Sequence, residues 1–217
     1  EYRLVREQKR EALRALGADP YAVRTPPRQT IGELRRAFDA AEAKLNTVDM
    51  PDGRQAAVVL ENRAIAGRVL ANRKMGKAVF VDVYDQTGKL QVYLNAKAVG
   101  EQGMKVYENI DLGDYVHFSG EVQRTRTGEV TLFATGITFL TKALSVPPLP
   151  REFKDDQGNV KQVTSFTDPE LRYRQRYLDL MVHHDVRQRF ELRSHVVSAI
   201  RAFLTDKGYL EVETPML

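Results

Sequence analysis

Ala78-Val-Phe-Val-Asp-Val-Tyr-Asp-Gln-Thr-Gly-Lys-Leu-Gln-Val-Tyr-Leu94 alternates apolar and polar positions, breaks at a Gln86-Thr-Gly88 turn, and alternates again. Period two on both sides of a short glycine turn reads as a β-hairpin with one buried face. Val79, Val81 and Val83 point one way on the first run, as do Leu90, Val92 and Leu94 on the second. Phe80, Asp82, Tyr84, Gln91 and Tyr93 take the other side. The aliphatic sets belong inside, because a small closed sheet has room for one packed interior.

Working outward, strands at roughly 57–72, 115–122 and 129–139 join those at 78–84 and 89–94, and the one helical interruption, about 99–109, follows the third. Three strands, a helix and two strands is the order of an OB-fold, a five-stranded barrel. An SH3-like barrel has the same strand count, but the helix after strand three argues against it. In strand five Val130, Leu132 and Ala134 are interior, which leaves Glu129, Thr131 and Phe133 outside; His117 takes the polar face of strand four. Aromatics beside hydrogen-bonding groups on an outer barrel face form a stacking platform for unpaired bases. Gln91 and Glu129 are then placed to read base edges, and Arg68 or Arg73 to reach phosphate. The structural alternative is that Phe80 and Tyr93 pack under the leader helices or against a second domain.

The leader holds a helix over 2–16, with Val5, Ala12 and Leu16 apolar, that stops at Gly17 and Asp19-Pro20. Thr30-Ile-Gly-Glu33 is a capping box opening a second helix with Leu34, Phe38, Ala41 and Leu45 on one face, and Pro51-Asp-Gly53 closes the leader. Residues 145–168, with Pro147-Pro-Leu-Pro150 and a polar run over 154–161, read as a linker carrying a small turn. Leu171-Arg-Tyr-Arg-Gln-Arg-Tyr-Leu-Asp-Leu180 interleaves arginines with Tyr173, Tyr177, Leu178 and Leu180, which argues for a buried segment holding its charges against acids or RNA. The helix from Val186 to Lys207 carries two apolar stripes, Phe190, Val197, Ile200 and Leu204 on one and Leu192, Val196, Ala199 and Phe203 on the other. One stripe suffices for a surface helix, so the second calls for a further partner. Gly208 ends the helix, and Tyr209–Thr214 reads as a strand stopped by Pro215.

Composition narrows the function classes. The 217 residues suit one or two domains, with 42% apolar and 29% charged residues as in ordinary globular chains. No run approaches the roughly 20 apolar residues of a membrane span, and the first residues lack the apolar core of a signal peptide. The absence of cysteine excludes disulfides and thiolate metal sites and fits a cytoplasmic protein. A net charge of +4 with 22 arginines against 11 lysines favours phosphate-rich partners. None of His117, His183, His184 and His195 has an acid at ligand spacing, so no metal site is expected. Neither a Gly-Lys-Ser/Thr phosphate loop nor a Gly-x-Ser-x-Gly elbow occurs.

Four stretches carry a resemblance: Ala66-Gly-Arg-Val69 with Met75-Gly-Lys-Ala78; Leu140-Thr-Lys-Ala-Leu144; Arg172-Tyr-Arg-Gln-Arg-Tyr-Leu-Asp179; and Gly208-Tyr-Leu-Glu-Val-Glu-Thr-Pro215. From Ile65 to Leu217 the chain resembles the class II lysyl-tRNA synthetases. The last stretch alone, similar to their motif 1, indicates class II only; the arginine stretch and Leu140–Leu144 favour lysyl over aspartyl and asparaginyl relatives. The resemblance implies an α+β, mostly β chain: a helical leader (1–55), an OB-fold anticodon-binding domain (56–144), a linker (145–168), longer here than is usual in the family, and the start of an antiparallel α/β catalytic domain (169–217). The implied anticodon contacts are Arg73, Phe80, Gln91 and Glu129, with Arg68 and Tyr93 beside them. The implied dimer contacts are Phe203, Leu210, Val212, Glu213 and Pro215. The parent function so implied is ATP- and Mg²⁺-dependent attachment of L-lysine to tRNA(Lys) by a homodimer. No catalytic residue is expected within these 217 residues, because the arginines of motifs 2 and 3 would lie beyond Leu217, so the chain alone should be inactive. The alternatives are an aspartyl or asparaginyl synthetase, or a truncated stand-alone OB-fold nucleic-acid-binding module.

Overall fold

The computed structural model describes residues 2–45, 58–76, 78–149, 151–154 and 160–215, with side chains for all of these except 45, 151–154 and 160–163. The Pro51-Asp-Gly53 close of the leader lies outside them. The chain divides into two compact units, Glu1–Pro147 and Pro148–Leu217.

In the first unit, helices α1 (Tyr2–Ala15) and α2 (Ile31–Leu45) precede strands β1 (Leu60–Met75), β2 (Ala78–Asp85) and β3 (Gly88–Asn95). Helix α3 (Ala96–Glu108) and strands β4 (Tyr115–Arg124) and β5 (Val130–Thr141) follow. The strands close in the order β1-β2-β3-β5-β4, with β1 pairing to both β2 and β4. β3 and β5 run parallel and the other neighbours antiparallel. This is the five-stranded OB-fold order that the alternation predicts. Val79, Val81, Val83, Leu90, Val92, Leu94 and Leu132 have no exposed surface, and Val130 and Ala134 are buried beside them. Two glycines let the sheet close. A Cβ on Gly120 would lie 2.0 Å from the Phe133 carbonyl oxygen, and one on Gly67 would lie 2.4 Å from that of Tyr84. Gly120 sits at a register break of the β4–β5 pairing, and Gly67 lies two residues before that of the β1–β2 pairing, where a strand must bend.

The leader is tied to the barrel by polar contacts as much as apolar ones. The capping box forms: Thr30 N–H donates to Glu33 Oε2 (2.9 Å) and Glu33 N–H to Thr30 Oγ1 (3.2 Å). The next two amides, of Ile31 and Gly32, donate to Asp85 Oδ2 and Thr87 Oγ1 in the β2–β3 turn, each at 2.7 Å. Ile31, Leu34 and Phe38 are buried below. On α1 the buried positions are Leu13 and Arg6, whereas Val5 is exposed. The expected stripe is displaced because the Arg6 guanidinium donates to the carbonyls of Ala143 (2.6 Å) and Leu112 (3.0 Å). Below it Lys142, whose side chain has no exposed surface, donates to Asn109 O (2.8 Å), Asp111 Oδ2 and Asp114 Oδ2 (both 2.7 Å). Burial outweighs these bonds at Asp114 and raises its pKa; at Asp111 burial is overcome by Lys142 and Lys9, and the pKa falls. Helix α3 starts earlier than its periodicity suggests, because Asn95 caps it through the Lys97 amide, and Gly100 (φ 72°) breaks it inside.

His117 lies on the outer side of β4, as expected, yet it is buried rather than solvated. The leader passes over it, with Pro27 O 3.3 Å from its Nε2, and among the described residues nothing pairs with Nδ1. Burial, with help from the Arg28 charge, holds its pKa below the ordinary 6.5.

In the second unit the linker carries a hairpin, β6 (Arg151–Lys154) against β7 (Val160–Val163). The arginine segment folds as two short helices, α4 (Pro169–Arg174) and α5 (Arg176–Val182), followed by α6 (His184–Asp206). Asp168 caps α4 by accepting from the Glu170 and Leu171 amides. The acid that the arginines meet is Asp179, which has no exposed surface. Arg172 Nε (2.7 Å), His183 Nδ1 (2.8 Å) and Arg176 Nη1 all reach it. Burial works to raise the Asp179 pKa, but the bonds from Arg172 and His183 outweigh it and hold it low. His183 therefore does have an acid partner, four residues back on the same helical face. The expectation of a buried segment holds for Asp179 and not for Tyr173 or Tyr177, which stay exposed. Tyr209–Thr214 forms no strand: among the described residues of this unit nothing runs beside it to complete a ladder, and Leu210 is 85% exposed.

Candidate nucleic-acid interface

Strand register turns the outward residues of β1, β2, β3 and β5 into two parallel rows. In one, Arg73 pairs with Phe80, Phe80 with Tyr93, and Tyr93 with Phe133. In the other, Asp82 pairs with Gln91 and Gln91 with Thr131. The first row is an aromatic strip with a cation at its end. Phe80 and Tyr93 have ring centroids 5.3 Å apart at 53°, and Tyr93 and Phe133 are 5.0 Å apart at 51°. Tilted rings at this spacing support one another while leaving one face of the strip open.

The second row supplies polar groups beneath and beside the rings. Arg73 Nη2 lies 3.1 and 3.2 Å from the two carboxylate oxygens of Asp82, which fixes the guanidinium along the sheet. Thr131 Oγ1 lies 3.0 Å from Gln91 Oε1 and 3.2 Å from the Glu129 carbonyl oxygen. Thr131 and Asp82 are buried although they sit on the outer side, because their neighbours cover them. Above the sheet, the β1–β2 turn contributes Met75 and the β4–β5 turn contributes Thr125, Arg126 and Thr127. Together with Arg73, Phe80, Gln91, Tyr93 and Phe133 these enclose an open groove of about 550 Å³, lined mainly by apolar surface. A groove with ring faces, one side-chain amide and two guanidinium groups suits flat aromatic ligands linked by anions.

Four of the six residues singled out on the barrel meet in this groove: Arg73, Phe80, Gln91 and Tyr93. Glu129 is not in its wall; its carboxylate is exposed at the end of β5, 3.8 Å from Arg35 Nη2 on α2. Arg68 lies at the other end of β1, where it donates to Gly113 O and Tyr115 Oη and covers the Tyr115 ring at 4.4 Å. It takes no part in the groove because its pair with Tyr84 lies four register pairs from the Arg73–Phe80 pair of the aromatic row. Sequence reading passed over Phe133, Asp82, Thr131 and Arg126 as site residues. Phe133 had the right parity, but only the parallel β3–β5 pairing shows that it abuts Tyr93. In the second unit, Phe203, Leu210, Val212, Glu213 and Pro215 are all exposed. Among the described residues no three His, Asp or Glu side chains gather as a metal site, and no helix is long and apolar enough to cross a membrane.

Comparison with known proteins agrees with the barrel fold. Residues 64–140 match the OB-fold nucleic acid binding domain family, and residues 168–217 match the class II tRNA synthetases of the D, K and N group. The lysine–tRNA ligase of Anaeromyxobacter sp. (strain K) is 43% identical over 212 residues, which is 98% of this chain and 37% of that protein. Those of Clostridium acetobutylicum and Streptococcus pneumoniae serotype 4 are each 38% identical, over 98% and 99% of this chain and 36% and 39% of their own lengths. The chain thus spans little more than a third of the curated relatives it matches. It joins a segment that matches the OB-fold nucleic acid binding domain to one that matches the class II tRNA synthetases of the D, K and N group.

Proposed function

We propose that this chain is the tRNA-reading part of a lysine–tRNA ligase, and that the aromatic strip on β2, β3 and β5 receives the anticodon. The observation that carries the reading is the outward row Arg73–Phe80–Tyr93–Phe133 beside the Gln91 amide. Unpaired bases stack on the rings, Gln91 meets a base edge, and Arg73 and Arg126 face the connecting phosphates. Glu129, exposed at the mouth of the β4–β5 turn, contacts the loop only from the rim. The names of the relatives support lysine as the amino acid and tRNA(Lys) as the partner of the complete enzyme, and the class II match supports ATP, taken here with Mg²⁺, as its co-reactant.

The two exposed apolar stripes of α6, with Phe203, Leu210, Val212, Glu213 and Pro215, support a homodimer seam in that enzyme, and its place is the cytoplasm. Chemistry of this kind proceeds by attack of the lysine carboxylate on the α-phosphate, which needs positioning and charge stabilisation and no side-chain nucleophile. A charging assay on the complete gene product, with lysine, aspartate and asparagine offered in parallel, tests the assignment. Lysine alone should be attached. Attachment of aspartate or asparagine would move the protein within its group, and no attachment at all would favour a binding module.

A further inference from the structure

We infer that Thr131 is a positioning residue for base recognition: its buried hydroxyl holds the Gln91 side-chain amide with the N–H₂ end toward the groove, so that this site prefers a pyrimidine with an acceptor oxygen at the 4-position over one with an amino group there. The inference deepens the anticodon reading above and rests on it.

Thr131 has no exposed surface, yet it lies on the outer side of the sheet between Gln91 on β3 and Gln123 on β4, its partners in register. Valine would fill the same space on a strand, so the hydroxyl itself calls for an explanation. A hydroxyl carries one proton. Thr131 Oγ1 can give that proton to Gln91 Oε1 at 3.0 Å or to the Glu129 carbonyl at 3.2 Å. In the observed arrangement Gln91 Oε1 is turned toward Thr131, and Gln91 lines the groove. The amide's two N–H donors are then what it presents to a ligand. A paired donor suits the O4 of uracil and opposes the N4 amino group of cytosine, which carries protons where uracil carries a lone pair. Asp82, the register partner of Gln91 on the other side, is engaged by Arg73.

The test compares binding of fluorescein-labelled hexauridine and hexacytidine to the 217-residue chain by anisotropy at low salt. The wild type should prefer hexauridine. Thr131→Val should reduce that preference at least about fivefold, the equivalent of one hydrogen bond, and Thr131→Ser should restore it. Gln91→Ala should abolish the preference, and adding Thr131→Val to Gln91→Ala should change nothing further. A purely structural role for Thr131 predicts instead an additional loss in the double variant. Should Thr131→Val fail to fold, Gln91→Ala and Thr131→Ser still decide: a wild type without base preference, or a preference that survives Gln91→Ala, overturns the inference. Phe80→Ala separates the two levels. If it weakens both oligonucleotides while Thr131→Val leaves their ratio intact, the platform stands and the role of Thr131 falls. If Phe80→Ala changes neither, or the wild type binds neither, the platform reading fails and takes this inference with it.

Discussion

Tyr93 is the middle ring of the strip, and replacing it with alanine should damage the barrel and the groove by separable amounts. The ring stands 5.3 Å from Phe80 and 5.0 Å from Phe133, so truncation removes two aromatic contacts at once. At about 0.5–1.5 kcal/mol each, that is about 1–3 kcal/mol of stability. The base that stacks on Tyr93 is worth about 1–3 kcal/mol more, which appears only in binding, as about a 5- to 150-fold loss of affinity. Urea unfolding of the chain reads the first quantity and anisotropy with an anticodon stem-loop reads the second. Tyr93→Phe keeps both rings' contacts and loses only the hydroxyl, which lies 3.4 Å from the Asn95 amide nitrogen, so it should stay near wild type in both assays. If Tyr93→Ala is destabilised yet binds RNA as tightly as wild type, the strip is a packing feature and the reasoning is refuted.

Three further outcomes follow from the barrel itself. Lys142→Met strands the buried carboxylate of Asp114 without its cation and should cost about 3–5 kcal/mol by urea unfolding; a cost below about 1 kcal/mol would mean that the site admits water. Gly120→Ala drives a Cβ to within 2.0 Å of the Phe133 carbonyl, so soluble yield and melting temperature should collapse, whereas Gly128→Ala, with open space around it, should show only the milder strain of its positive φ. His117 is held below its ordinary pKa of 6.5 by burial. The unfolded chain therefore takes up the proton first, and the stability present above about pH 6.5 is lost as pH falls below it. His117→Gln should melt with less acid sensitivity than wild type between about pH 7.5 and about pH 5.5, and equal slopes would contradict the burial account.

How much of this was legible in the sequence differs by element. Strict alternation in 78–94 suffices for the barrel interior, because a one-residue slip would turn every valine of β2 outward. The capping box at Thr30 and the glycine end at Gly208 were equally readable, since each is decided within four residues. Legibility stops where a contact depends on two distant strands. Through the parallel β3–β5 pairing, which no local pattern encodes, Phe133 joins the groove and Thr131 comes to lie beside Gln91. Arg68 and Glu129 lie outside the groove wall for different reasons: Arg68 is four register pairs along the strand from the aromatic row, and Glu129 stands on its rim beside the β4–β5 turn with its carboxylate toward Arg35. The burial of Arg6 and His117 is illegible for a related reason: charge and polarity alone do not show that a distant carbonyl, here of Ala143 or Pro27, comes to meet them. The missing strand after Gly208 follows the same logic, since a strand exists only with a neighbour.

If the strip at Phe80, and not the barrel surface in general, receives the anticodon, the outward aromatics of β2 should differ in their importance for binding. Tyr84 lies on the same strand and the same outward side as Phe80, four register pairs away and opposite Arg68. Binding of a tRNA(Lys) anticodon stem-loop by Phe80→Ala and Tyr84→Ala, each at low and raised salt, compares the two directly. The account predicts that Phe80→Ala loses about 5- to 150-fold while Tyr84→Ala stays within about twofold of wild type, with affinity falling as salt rises in all three. Equal losses in the two variants, or no loss in either, would contradict it.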